Sequence, residues 1–226
     1  MLFRSRLEEE APRLLGVGTE PEFAIGQRAL LLQSPGGNLL WDCITFLDDQ
    51  TANEINARGG IRAIAISHPH FYSAMVEWAE CFDAQILLHA ADRECVMRKS
   101  PRIQFWEGST LSLWDGLTLI NLGGHFEGGT VLHWPTGASA KGALLTGDII
   151  TVVQDRRYVS FLRSYPNLIP LGASAIRRIV ERVEPFSFEQ IYGGWWHANV
   201  LADGKAAVAR SAQRYLRAIA SAENCG

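Results

Sequence analysis

The chain has 226 residues, 47% of them hydrophobic, which is enough for one extensive core. Its net charge of −3 argues against nucleic-acid binding through bulk charge, and no apolar run is long enough to cross a bilayer. Cys43, Cys81, Cys95 and Cys225 have no C-x-x-C spacing, so they read as reduced, mostly buried thiols in a cytoplasmic protein. Consistent with that, the first residues lack the apolar centre of a signal peptide. No linker-like composition shift divides the sequence, so one domain over residues 1–226 is expected.

In chain order, residues 1–18 read as a polar lead-in holding at most one short helix. Phe23 to Leu32 reads as strand, Ser34-Pro35-Gly36-Gly37-Asn38 as a turn, and Leu39 to Asp42 as the partner strand of a hairpin. Thr51-x-x-Glu54 resembles a capping box, and Gly59-Gly60 would end that helix. Ile64-Ala65-Ile66 is a short buried strand that runs into Ser67-His68-Pro69-His70. Residues i and i+2 of an extended chain share a side, so His68 and His70 can face one point just past the strand. Two imidazoles converging there suit a zinc- or iron-type ion.

Met75, Trp78, Ala79 and Phe82 lie at helical spacing, and Gln85–His89 is a strand. Phe105 to Gly116 places Trp106 and Trp114 among turn residues. Leu117–Leu122 is a strand ending in Gly123-Gly124-His125; Thr130–Trp134 follows, and then Ala143–Thr146 ending in Gly147-Asp148. A long connection spans residues 151–171. Ile176, Ile179, Val180 and Val183 mark a helix face. Phe188–Gly194 is a strand leading to Trp195-Trp196-His197, and a last helix starts near Asp203. Strands first in hairpins and then alternating with helices imply a layered α/β or α+β domain.

Four strands thus end in a metal-ligand type: His68/His70, His125, Asp148 and His197. Three of these come directly or shortly after glycine, in a chain with only six histidines. This order and context resemble the metallo-β-lactamase-like hydrolase superfamily. The segment His68-Pro69-His70-Phe71-Tyr72-Ser73 is similar to its H-x-H-x-D-H motif, and Gly124-His125 to its G-H-T-x-G motif. Leu144-Leu145-Thr146-Gly147-Asp148 is similar to its "ffTGD" strand, and Gly194-Trp195-Trp196-His197 to its last G-H. Asn38 to Asp42 looks like its early N-x-x-L-I-D strand.

The resemblance implies an α/β fold of the four-layer αββα type, two mixed β-sheets with helices outside. It also implies hydrolysis of an ester, amide, thioester or phosphodiester with a metal-activated water. The motif departs at Tyr72 and Ser73, where the family has an aspartate and a histidine that hold a second metal. One ion is therefore expected, held by His68, His70, His125 and Asp148, with His197 as a ligand or a substrate-facing group. Zinc is expected, with iron or manganese as alternatives. Asp148, Tyr72 and His197 are the candidate catalytic groups, and Ser73 lacks the base a nucleophile would need.

A small molecule is the expected substrate, with neither nucleic acid nor membrane as partner; exposed tryptophans would mark a homodimer interface. His89 and His133 read as structural. Arg156, Arg157 and Arg163 could clamp an anion or simply face solvent, and Trp106, Trp195 and Trp196 could wall a pocket or pack in the core. Two alternatives share the fold: a mononuclear iron oxygenase acting on a sulfur compound, and a ligand-binding member without catalysis.

Overall fold

A seven-stranded mixed sheet occupies the first part of the chain. Its strands are β1 (Arg4–Ala11), β2 (Leu14–Glu20), β3 (Ala29–Leu32), β4 (Leu39–Trp41), β5 (Ala63–Ala65), β6 (Gln85–His89) and β7 (Ile103–Trp106), side by side in that order. Pairing is antiparallel up to β4 and parallel from β4 to β7. Parallel neighbours need crossovers, which α1 (Asp49–Ala57) and α2 (Met75–Cys81) supply. Ile55 of α1 and Met75, Trp78 and Ala79 of α2 pack on Leu31, Leu40, Ile64 and Ile86. The computed structural model describes residues 3–223. This first sheet and its helices form one compact unit, up to Glu107, that also takes in Gly194–Trp196.

The N-terminal stretch is not a polar lead-in but the hairpin β1–β2. Leu14, Leu15 and Val17 are buried, and Leu7 of β1 packs on the same core. The charges that make β1 look like a tail are paired. Arg4 meets Glu20 across the strands at 2.7 Å, and the fully buried Arg28 guanidinium pairs with Glu10. The expected strand from Phe23 forms only from Ala29 onward. The cap of α1 is Asp48, whose Oδ1 accepts from the Thr51 amide at 2.8 Å; Thr51 is therefore three residues inside the helix rather than its cap. Trp106 belongs to β7 rather than to a turn.

Trp196 lies over β2. An added Cβ at Gly16 or Gly18 would fall 2.6 and 2.7 Å from its indole, so only glycine leaves room. Arg6 stands 4.1 Å and Arg28 5.6 Å from the ring centroid, cation–π contacts that suit a tryptophan face. The Arg28 amide donates to the Gly194 carbonyl at 2.8 Å, and Trp195 Nε1 donates to the Ile25 carbonyl at 3.1 Å.

The second compact unit comprises Gly108–Gly193 and the described residues from His197 onward. Its strands are β8 (Thr110–Ser112), β9 (Thr118–Asn121), β10 (Thr130–Trp134) and β11 (Ala143–Gly147), with the short α3 (Gly137–Ala140) before β11. The segment expected to be a plain connection forms two ribbons, β12 (Thr151–Val152) with β13 (Val159–Ser160), and β14 (Leu162–Ser164) with β15 (Ile169–Pro170). Buried Val159 and Phe161 anchor it. Then follow α4 (Ala173–Val183), β16 (Gln190–Gly193), β17 (Asn199–Val200) and α5 (Gly204–Glu223). The six-stranded sheet runs β17-β16-β11-β10-β9-β8, antiparallel except for the parallel pair β11–β16, which α4 bridges. Ile176 and Ile179 of α4 and Val208 and Ala212 of α5 pack on Leu144 and Ile191.

Cys43 is buried, but Cys81 and Cys95 are exposed, because both close short helical turns on their outer side. Cys225 lies outside the described residues. Among the described residues no helix is long and apolar enough to cross a membrane.

The buried Arg28–Glu10 pair gives a direct test. Removing one partner strands the other charge in the core, which typically costs about 3–5 kcal/mol. Glu10→Ala should lower the urea unfolding free energy by roughly that amount, and adding Arg28→Met should restore most of it. An unchanged midpoint in Glu10→Ala would show that the pair does not hold the β1–β2 hairpin.

Candidate metal centre

In the first unit the chain leaves β5 still buried, through Ile66, Ser67 and His68. Asp42, directly after β4, fastens this exit. Its amide donates to the Ala65 carbonyl at 2.9 Å, and its Oδ1 accepts from the Ser67 amide at 2.7 Å. Ser67 Oγ then lies 2.8 Å from His68 Nδ1, which orients the ring. His68 Nε2 in turn lies 3.1 Å from His70 Nδ1.

The expected extended alternation is not what brings these rings together. Pro69–Phe71 forms a single 3-10 turn with proline at its start, where a fixed φ and a missing N–H cost nothing. The rings still meet, edge to face, with centroids 4.8 Å apart. His68 is buried, and His70 lies at the surface, with its imidazole pKa lowered by partial burial. A tetrahedral zinc with ligands at 2.0–2.1 Å would hold two nitrogens about 3.3 Å apart, so this pair fits a shared ion.

The second unit supplies a histidine and a carboxylate. β9 runs into Gly123 and Gly124, and Gly124 takes φ 88° immediately before His125. His125 Nδ1 lies 3.2 Å from the Leu162 carbonyl. A carbonyl only accepts, so Nδ1 carries the proton and Nε2 keeps the lone pair a metal needs. Asp148 follows the last residue of β11 and is 3% exposed. Burial pushes its carboxyl up to about 7. The turn behind it is held by Thr151 Oγ1, which donates to the Asp148 carbonyl at 3.1 Å, and by Thr146 Oγ1, which donates to the Ile150 carbonyl at 2.8 Å. Three imidazoles and one carboxylate form a donor set of the right chemistry for a divalent ion.

Tyr72 caps the 3-10 turn and packs against the first core. Burial, and then the fields of Asp92, Cys95 and Asp42, push its phenol far up, so it is a proton donor at neutral pH and not a base. His197 is exposed at φ 59°, and its carbonyl accepts from Arg156 Nη2 at 2.7 Å. Its imidazole is not part of the donor group formed by His68, His70, His125 and Asp148.

His89 accepts from the Ala91 amide and meets Trp106 edge to face, and His133 Nε2 bonds the Ser187 carbonyl; both are structural. Arg157 is engaged with Asp155 at 2.7 Å and Arg156 with backbone carbonyls, which is not the posture of an anion clamp. Sequence reasoning missed Asp42 and Ser67, which position His68. It also missed Tyr165, whose phenol is raised by burial and by the charge of Asp148. Only the Asn38–Asp42 strand resemblance gave any signal for Asp42.

No protein-family model matches the chain. A Bacillus subtilis protein described as "Uncharacterized protein YmaE" is 53% identical over 215 residues, covering 95% of this chain and 78% of that one. This chain belongs to the same family as YmaE. Among solved structures, a metallo-β-lactamase from Cronobacter sakazakii aligns with a TM-score of 0.62 at 21% identity, covering 97% of each chain. The DIM-1 metallo-β-lactamase aligns at 0.65 and 14%, covering 93% of this chain and 97% of its own. SMB-1 aligns at 0.62 and 19%, covering 92% and 94%. The two mixed sheets with their helices therefore have the metallo-β-lactamase fold.

The raised Asp148 carboxyl has a signed consequence. Its folded value lies above the ordinary 3.8, so the folded state holds this proton more tightly than the unfolded chain does. In metal-free protein, stability from this group is full below about pH 4 and is lost as pH rises towards about 7. Asp148→Asn should flatten that slope. Urea midpoints across this range, in chelator, check it; equal slopes in parent and variant would count against the assignment.

Proposed function

We propose that this protein is a metal-dependent hydrolase of a small-molecule ester, thioester, lactone or phosphodiester, with one zinc ion held by His68, His70, His125 and Asp148. The observation that carries this reading is that these four side chains make up a group of donors able to hold a metal ion. The tautomer fixed on His125 and the spacing of the His68 and His70 nitrogens support it. So does the fold, which the chain shares over nearly its whole length with metallo-β-lactamases.

When bound, such an ion supplies Lewis-acid polarisation and acidifies a coordinated water to about 7. The protein's own groups do the rest. The Leu162 carbonyl keeps His125 in the ligating tautomer, and Ser67 orients the His68 ring. Asp148, whose carboxyl burial raises to about 7, would give up its proton in order to serve as a ligand. The neutral phenols of Tyr72 and Tyr165 are donors for negative charge developing on a substrate oxygen. The free thiols Cys43, Cys81 and Cys95 suit a reducing cytoplasm, and we place the protein there as part of the same proposal.

Elemental analysis of tag-free protein should find about one zinc per chain, and His68→Ala/His70→Ala should lose it. Partners that merely orient ligands are worth 10–100-fold, so His125→Ala, a ligand change, should lower turnover of a nitrophenyl ester or diester by more than about a hundredfold. Full metal occupancy in His125→Ala would overturn the reading. About one iron in place of zinc, with oxygen uptake on a thiol substrate, would instead establish the oxygenase alternative.

A further inference from the structure

The second unit holds a cavity of about 540 Å³ lined by residues of α5 and of the segment carrying β12 to β15. This size falls within the range of small-molecule sites. Val153, Val159, Pro170, Ala218 and Ile219 make its walls apolar. The hydroxyls of Ser211, Ser160 and Tyr215 in those walls are used by the fold. Ser211 Oγ accepts from the Val159 amide at 2.8 Å and donates to the Ala207 carbonyl at 2.7 Å. Ser160 and Tyr215 bond each other, and the Phe161 amide donates to the Tyr215 oxygen at 3.4 Å. A ligand therefore meets hydrocarbon over most of the cavity.

Among the described residues of the lining, the one charged group is Arg214. Its guanidinium lies exposed over the Tyr158 ring, 4.7 Å from the centroid. Asp155, the nearby carboxylate, is taken by Arg157, with Nη2 to Oδ2 at 2.7 Å and Nε to Oδ1 at 2.9 Å. Arg210, Arg214 and Arg217 follow at helical spacing, and α5 carries no acid before Glu223. An apolar cavity beside an arginine-rich helix edge is complementary to a ligand with an apolar body and one anionic end. Guanidinium matches a carboxylate in two-pronged geometry, which a hydroxyl cannot reproduce.

We propose that this cavity binds a medium-chain carboxylate, with its tail against Val159, Pro170 and Ile219 and its carboxylate on Arg214. The site is separate from His125 and Asp148 in sequence and in chemistry, and the proposal does not depend on the hydrolase reading.

Calorimetric titration of the full chain with decanoate tests it. One equivalent should bind. Arg214→Gln should weaken binding about tenfold or more, and decanol should bind the parent weakly and Arg214→Gln equally weakly. Ala218→Trp, which fills the cavity, should abolish binding, and His125→Ala should leave it unchanged. Arg214 is exposed, so its variant tests the anion contact even if Ala218→Trp fails to fold. No decanoate binding, equal binding in Arg214→Gln, or loss in His125→Ala (which would place the carboxylate at the histidines) overturns the proposal. Sedimentation with phosphatidylglycerol vesicles in the absence of decanoate binding would also overturn it, in favour of a membrane surface.

Discussion

Parallel pairing is the constraint on which the candidate centre depends. β5 is hydrogen-bonded to β4 on one side and β6 on the other, and all three of its residues are buried. A strand covered on every side can release the chain only at its end, and neighbours of the same direction place their ends together. Asp42 at the end of β4 is thus beside Ser67 at the end of β5, and the carboxylate is spent on the backbone there. The second unit repeats this logic with one parallel pair. β11 runs beside β16, and Asp148 emerges where β11 stops. Polar residues at these exits are fixed by the sheet before any ligand is present.

The first unit also buries a full charge. Arg28 is fully buried, and a lone charge there would cost several kcal/mol, so Glu10 and the face of Trp196 must accompany it. Gly16 and Gly18 are small because the indole rests on their Cα atoms. This arrangement uses the backbone of Gly194 and the side chains of Trp195 and Trp196, so the residues just before His197 are tied into the sheet that begins at β1. His197 itself, exposed with its carbonyl on Arg156, has no such constraint on its ring.

The residues of the candidate centre were legible because His68, His125 and Asp148 each follow an apolar run that stops abruptly. The hairpin β1–β2 was not legible. Its charges are neutralised by partners such as Arg28, and its buried face is completed by Trp196, almost the whole chain away. Local pattern cannot show that Arg6, Arg28 and two glycines share one neighbour. The same holds for Leu162, whose carbonyl fixes a histidine tautomer with no side chain involved. At α1 the signal was present but misassigned, because Asp48 and Thr51 both suit a cap and only the backbone shows which residue precedes the first turn.

Tyr72 and Ser73 stand where the sequence resemblance leads one to expect an aspartate and a histidine, and the Tyr72 phenol stays neutral. What remains is one buried carboxylate, Asp148, with imidazoles as its companions in the donor group. Burial raises that carboxyl, because it strips away the water that favours the ionised form. A divalent ion reverses the balance, since its charge favours the ionised carboxylate and requires neutral imidazoles. Ion binding and proton release from Asp148 are therefore one coupled equilibrium. A donor set of this kind would gain affinity for a divalent ion as pH rises through neutrality.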